Sequence, residues 1–407
     1  MSASKKPELL FVSPRFLFPV DSGGRIRTTQ ILRGMQGGQF DTVLVSPATS
    51  DESDRYAEQL QSVAARTRFW PQAERGLAHR VLRLRHLFSG MPIPVVTDRS
   101  AAGEAIVRSE LERRPAAVVF DFAHAAVLAP RTLTVPSILF THNVEAEIFE
   151  RHADVATNPV AKRLWRDQFR KMEAFERAAV GQFDTVVAVS ERDLEIFREK
   201  FGVRRGYVIS TGVDLDFFNY RSPGDRPKLV FTGSMDWLAN IDGIEFLMDE
   251  VWPLVISEYP DASLDIVGRD PPKGLVQKAR VKNLNWHFTG FVDDVREYAH
   301  GAAVYVIPLR VGGGTRLKVY EAMAMGAPVV STSIGVEGLP VVSGKHFLAA
   351  DSATEFAGAV ISLLRDQSLR RELSLTARSF VEDNCSYEIV AREFEEICLR
   401  TIAGRNE

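Results

Sequence analysis

"RVGGGTRLKVYEAMAMGAPVVST", residues 310–332, follows the apolar run "AAVYVIPLR" and ends in a second β-rich run at Pro328–Thr332. Between them lie three glycines, then a stretch with helical spacing that begins near Leu317 or Lys318. Strand, glycine loop, helix, strand is the pattern of a parallel crossover, and it points to an α/β protein. Gly312, Gly313 and Gly314 permit close backbone approach, and free amides at a helix start form an anion site. Arg316 and Lys318 add two positive charges, one a planar fork and one a point charge. Glu321 follows about one turn into the helix, where a carboxylate suits a diol such as a ribose better than a phosphate. With Thr315, the segment therefore reads as a site for phosphates plus sugar hydroxyls. The competing reading is a plain glycine-rich connection with a solvated Arg and Lys and a Glu favoured by the helix dipole. The convergence of three independent features favours the ligand.

The same rhythm runs through all 407 residues. Strands are expected at Glu8–Ser13, Thr42–Ser46, Ala117–Phe120, Ser137–Thr141, Thr185–Ser190 and Tyr207–Ser210. A second series follows at Lys228–Gly233, Ser263–Gly268, Asn285–Thr289, Ala303–Pro308, Pro328–Thr332 and His346–Ala349. Two series of about six strands imply two Rossmann-like domains, in keeping with a length beyond what a single core usually supports. The expected boundaries are 1–210, a turn-rich linker at 211–227, 228–385, and a C-terminal helix over 386–407 that packs back on the first domain. Ligands of open α/β sheets bind at the carboxyl ends of the strands, so two such domains would bind in a central cleft between them.

The net charge is −3, but residues 1–210 carry 30 Lys/Arg against 25 Asp/Glu and the remainder 20 against 28. A positive first half could meet an anionic surface, and ordinary scatter of surface charge would look the same. Two basic amphipathic stretches lie in that half, "ERGLAHRVLRLRHLF" (74–88) and "AKRLWRDQFRKMEAF" (161–175). Such stretches occur at membrane interfaces and also as ordinary packed helices. No run approaches the length of a spanning helix, since "AAVVFDFAHAAVLAP" is broken by Asp121 and His124. Cys385 and Cys398 have no metal or redox spacing. A cytoplasmic location is expected, at the inner face of the membrane if these stretches bind lipid, with no nucleic-acid partner.

Two common nucleotide motifs are absent. "GLPVVSGKH" (338–346) has the wrong spacing for a phosphate-binding P-loop, and no G-x-G-x-x-G follows the first strand. That strand is followed instead by a loop with Gly23 and Gly24, then Arg25 and Arg27 at a helix start, a second candidate anion or sugar contact. "DLD" at Asp214–Asp216 reads as a turn rather than a metal site.

The order of "THNVEAE" (141–147), "VVAVSERDLEIF" (186–197), "STGVDLDFF" (210–218), "VFTGSMDWLANIDGIEFL" (230–247), "LDIVGRD" (264–270), "HFTGFVDDV" (287–295) and "GGGTRLKVYEAMAMGAPVVST" resembles the retaining glycosyltransferases of family 4. That resemblance implies the GT-B fold, two Rossmann-like domains facing a central cleft, and sugar transfer from a nucleoside diphosphate sugar without a metal or other cofactor. The acceptor would be a glycan, a lipid-linked group or a small molecule. It implies that Glu321 binds the donor's ribose, that Gly233 and Ser234 line the diphosphate, and that Arg269, Phe291 and Val292 cradle the base. His142 would contact the donor sugar or assist transfer. Asp121 and Glu145 are expected as further carboxylates at the edge of the cleft, with His124 beside Asp121. Two departures stand out. The family's first glutamate falls on Gly313, and its diphosphate-gripping Arg and Lys fall near Ser234 and Asp242. Arg316 and Lys318 offer substitutes from the neighbouring loop. A nucleotide-sugar epimerase of the same fold and a non-catalytic nucleotide-sugar binding protein are the alternative readings.

Overall fold

In the computed structural model, which describes residues 6–72, 89–156, 158–311 and 316–405, β1 (Glu8–Val12) alternates its side chains between two cores. Leu9 and Phe11 enter one, and Leu10 and Val12 the other. This period of two identifies a strand covered on both faces. Helices on both faces of a parallel sheet give the α/β layering, in two units: Met1–Gly212 with Tyr387–Glu407, and Val213–Ser386.

The first unit holds a seven-stranded sheet, all of whose pairings are parallel. Its order is β3 (Arg66–Pro71), β2 (Asp41–Ala48), β1, β4 (Ala117–Asp121), β5 (Ser137–Phe140), β6 (Thr185–Ala188), β7 (Gly206–Val208). The chain adds strands leftward from β1 and then returns to pair β4 on its other side, so the strand order reverses between β1 and β4. The Tyr387–Ala403 helix belongs to this unit: Phe394 packs against Phe11 and Phe140 at ring separations of 6.5 and 5.2 Å. It lies tightly along the Gly23–Gly34 helix, where a Cβ at Gly34 would come within 2.5 Å of Ala391 Cβ.

The second unit repeats the plan with six parallel strands in the order β10 (Trp286–Gly290), β9 (Ser263–Val267), β8 (Lys228–Thr232), β11 (Val304–Ile307), β12 (Val329–Ser331), β13 (Leu348–Ala349). Here the reversal lies between β8 and β11. Tyr305 and Ile307 enter one core and Val304 and Val306 the other.

The strand at Arg66–Pro71 is one that periodicity does not reveal. It is an edge strand with a single buried residue, Trp70, and its Arg66 makes a two-point contact with the buried Glu110 at 3.0 and 2.6 Å. "RTRFWP" therefore lacks the apolar run of an interior strand.

Candidate active site

In open sheets of this kind the reversal of strand order opens a crevice at the strand ends, and polar side chains gather there in both units.

In the second unit, β8 ends at Thr232 and β11 at Ile307. The Leu317–Ala324 helix, which follows β11, carries Lys318 back toward the end of β8. Lys318 Nζ donates to Asn240 Oδ1 at 3.2 Å, and Asn240 Nδ2 donates to the Ser234 carbonyl at 2.7 Å. The ammonium also lies 4.5 Å from the centroid of the Phe231 ring, a cation–π contact. A Cβ at Gly233 would stand 2.7 Å from Asn240 Nδ2 and 2.9 Å from Lys318 Nζ. Any side chain at 233 would therefore press on the tips of Asn240 and Lys318.

Arg316 stands at the N-cap of the same helix with its side chain almost wholly buried, 3.9 Å from Glu337. Glu321 lies one turn beyond Lys318, half-buried, and no ion-pair partner is within reach among the described residues. Burial pushes the Lys318 ammonium down to about 7, with Arg316 acting in the same sense and Glu321 opposing. Burial raises the Glu321 carboxyl to about 7, partly offset by Lys318. Both groups are therefore poised to change charge when a ligand supplies what they lack. Beneath them the buried Tyr305 hydroxyl pairs with Thr232 Oγ1, and burial holds that phenol neutral.

The neighbouring loops are tied to this cluster. Arg269 Nε donates to Ser234 Oγ at 2.8 Å, Ser234 Oγ donates to Asp236 at 2.6 Å, and Arg269 also approaches Asp236 at 3.5 Å. Phe291 is exposed after β10, while Val292 packs against the core. Asp242 is paired: Arg310, which ends the run after β11, grips it at 2.7 and 3.1 Å and reaches Glu250 at 3.4 Å. Gly312, Gly313, Gly314 and Thr315 lie outside the described residues, as does the basic stretch 74–88.

In the first unit the reversal holds a closed network. Asp121, at the end of β4, accepts from Thr28 Oγ1 at 2.9 Å and Ser13 Oγ at 3.4 Å, and its other oxygen lies 2.7 Å from His142 Nε2. Arg27 NH1 lies 3.1 Å from His142 Nδ1, and the same guanidinium donates to Thr211 Oγ1. Arginine can only donate, so Nδ1 accepts and the proton sits on Nε2, facing Asp121. His142 is neutral and 2% exposed, and burial holds its pKa below the usual histidine range.

Phe122 stacks on the His142 ring at 3.9 Å and 10°. Its backbone has φ 69°, a conformation that costs a non-glycine residue roughly 1–3 kcal/mol. Gly24 makes room for it, since a Cβ there would lie 2.5 Å from Phe122 Cζ; Gly23 opens the helix. The expectation that Asp121 lines an open edge is corrected: it is fully buried because Arg27, His142 and Thr28 surround it. His124 pairs with Asp98 at 3.0 Å and stands 3.9 Å from Glu145, rather than joining Asp121. The buried Glu176 accepts from the backbone amides of Glu145 and Ala146, both at 2.8 Å, and so anchors the start of the Glu145–Val155 helix.

The sequence profile described as Glycosyltransferase Family 4 matches residues 22–217, and that of Glycosyl transferases group 1 matches residues 226–366. Together they span both units. The chain belongs to the GT-B glycosyltransferase superfamily. It is 21% identical over 392 residues to an uncharacterized 44.6 kDa protein in the cps region of Klebsiella pneumoniae, covering 93% of this chain and 96% of that protein. A sucrose-phosphate synthase from Thermosynechococcus elongatus has the same fold, with a TM-score of 0.72 at 16% identity over 98% of this chain and 100% of that one. The Anabaena protein HepE in complex with UDP and glucose aligns with a TM-score of 0.66 at 14% identity, covering 96% of this chain and 98% of that one.

In this glycosyltransferase, Gly233, Ser234, Arg316, Lys318 and Glu321 flank one reversal point, whereas His142 and Gly24 belong to the other. Asn240 is not apparent from the sequence, because an Asn near a helix start looks like a cap. Among the described residues no helix is long and apolar enough to cross a membrane, and no group of three or more His, Cys, Asp or Glu side chains is placed to hold a metal ion.

Proposed function

We propose that this enzyme moves a sugar from a nucleoside diphosphate sugar to an acceptor hydroxyl with retention of configuration, building a polysaccharide, a glycolipid or a small-molecule glycoside. The observation that carries the proposal is the half-buried Lys318 held by Asn240 over Gly233, one turn from an ion-pair-free Glu321, at the strand reversal of the second unit. Retention follows from the family resemblance.

When the bond from the anomeric carbon to the diphosphate breaks, negative charge builds on the departing phosphate. Cations already fixed beside it stabilise that charge without reorganising. Lys318 and Arg316 supply them, with the amides of Gly312–Thr315, and Glu321 accepts hydrogen bonds from the ribose hydroxyls. Arg269, Phe291 and Val292 border the base. His142 serves as a positioning residue, because both its ring nitrogens are engaged within its own unit. No step in this reading calls on a divalent ion. Turnover that EDTA abolishes and Mn²⁺ restores would count against that part.

The deciding experiment is a thermal-shift and hydrolysis screen of UDP-, GDP-, ADP- and dTDP-sugars, since slow donor hydrolysis needs no acceptor. Stabilisation by one of them, lost in Glu321→Ala, is expected. A flat response to the whole panel would sink the proposal.

The Pro159–Val180 helix supports contact with an anionic membrane: Val160 and Leu164 are exposed beside the exposed Arg163, Arg166 and Arg170. Burying apolar side chains while pairing arginines with lipid phosphates is the physics of an interfacial helix. Salt-sensitive flotation with anionic vesicles, weakened in a Val160→Glu variant, is the expected result.

A further inference from the structure

We infer that Trp237 and Asp236 form a platform for the pyranose ring of the donor, the indole face taking the sugar's C–H face and the carboxylate its hydroxyls. The inference rests on the nucleotide-sugar reading above and adds the part of the ligand that Lys318 and Glu321 leave unaccounted for.

The chain has five tryptophans. Trp70 and Trp252 are buried, Trp165 packs tilted against Phe149 and stacks on His152, and Trp286 packs against Trp252 and Phe288. Trp237 differs from all four. It is 41% exposed, and among the described residues it meets no other ring or cation and its indole N–H bonds to no protein group. An indole left open in this way, with a polar handle at its edge, is free to take a ligand's apolar face.

Its location supplies the ligand. The Trp237 N–H donates to the Ser234 carbonyl at 3.4 Å, and its own carbonyl accepts from Asn240 and Ile241 at 3.0 and 3.2 Å. The same Ser234 carbonyl accepts from Asn240 Nδ2, whose Oδ1 holds Lys318 Nζ. The indole is therefore carried by the loop that holds the phosphate-side cation, and a sugar attached through that phosphate lies in the same neighbourhood. Trp237 is also the N-cap residue of the Leu238–Phe246 helix, so its backbone is fixed.

Asp236 defines the chemistry. Its carboxylate takes one hydrogen bond from Ser234 Oγ and lies 3.5 Å from Arg269, and it remains half exposed. An ionised carboxylate has about four acceptor positions, which leaves room for hydroxyl donors and disfavours a phosphate at that spot. An exposed indole and an exposed carboxylate on successive residues of one loop match a pyranose, apolar on one face and ringed by hydroxyls.

The test is equilibrium binding of UDP, UDP-glucose, GDP and GDP-mannose to the full chain and to Trp237→Ala, Trp237→Phe and Asp236→Ala. With the sugar nucleotide that binds, Trp237→Ala should lose about three- to tenfold in affinity, while the matching nucleoside diphosphate binds as before. Trp237→Phe should keep most of the affinity, which separates stacking from a folding defect. Sugar nucleotide, but not the diphosphate alone, should change the wild-type indole fluorescence, and Trp237→Phe should abolish that change. Equal losses for nucleotide and sugar nucleotide would assign the ring to the base and overturn the platform, as would unchanged binding in Trp237→Ala. A wild-type chain that binds none of these four, and none of the ADP- and dTDP-sugars of the wider panel, overturns the donor reading and the platform with it.

Discussion

The Asp121 cluster of the first unit and the Lys318 cluster of the second occupy equivalent places, each at the reversal of strand order, but they are finished to different degrees. Around Asp121 each polar group has a partner: the buried Arg27 reaches Thr211 and His142, Asp121 accepts from Thr28 and Ser13, and His142 is bonded through both nitrogens, although burial still lowers the Arg27 guanidinium to about 10. Around Lys318 the matching is incomplete, with a depressed ammonium and a raised carboxyl one turn apart. Saturated polar networks hold a fold in one arrangement; unsaturated ones leave binding capacity. On the proposed function, this difference would separate a structural centre from a ligand site more clearly than residue type does.

Breaking the closed centre should have the largest effect. Asp121→Ala leaves Thr28 and His142 without their buried acceptor and removes the carboxylate whose charge favours the buried Arg27, and stranding buried polar groups in this way costs about 1–3 kcal/mol each. Calorimetry should show this as a large fall in Tm. A variant that melts with the wild type would place the two clusters on the same footing.

Lys318→Ala and Glu321→Ala should leave the melting temperature nearly unchanged yet lower kcat/KM for the donor by about 10²–10³. Steady-state rates with the best donor of the panel would measure this.

The pH dependence sharpens the contrast. Burial lowers the Lys318 ammonium to about 7, so the cation proposed to attract the diphosphate is present below that pH and lost above it. Glu321 is ionised only above about 7. Donor affinity should therefore peak near neutrality, and Lys318→Met should remove the alkaline limb alone. Binding titrations across pH 6–9 decide it. The first unit carries the opposite signature: burial holds Glu176 up to about 8. Raised above its unfolded value, it favours folding at low pH and contributes less as pH rises toward 8. Glu176→Gln should flatten that slope in melting curves.

The smallest effect belongs to the exposed Arg310–Asp242 pair. Asp242→Asn should change stability by less than about 1 kcal/mol and shift donor KM only slightly. A large change in KM would mean that this pair holds the glycine loop.

Much of this was legible in the residues. Strand runs with period two, glycines at strand ends and the Arg316-x-Lys318 pair before Glu321 all act locally, so they show in sequence. The buried centre does not, because Arg27, Asp121 and His142 meet only after a parallel sheet has brought three distant strand ends together. Gly24 is a further case: it reads as a ligand contact but is filled by Phe122. Edge strand β3 was hidden by its arginines, which answer to Glu110 rather than to a core.

Val213 pairs with Ser386 and its amide bonds to the Cys385 carbonyl at 2.8 Å, while Gly212 lies against Tyr387. The chain thus enters and leaves the second unit at one point, which makes that unit an insertion within the first. During synthesis on a ribosome, residues 213–386 are complete and able to close while the first sheet still lacks the Tyr387–Ala403 helix that covers Phe11 and Phe140. The half made first is therefore finished last, and a stalled chain exposes that apolar face until residues 387–403 have emerged.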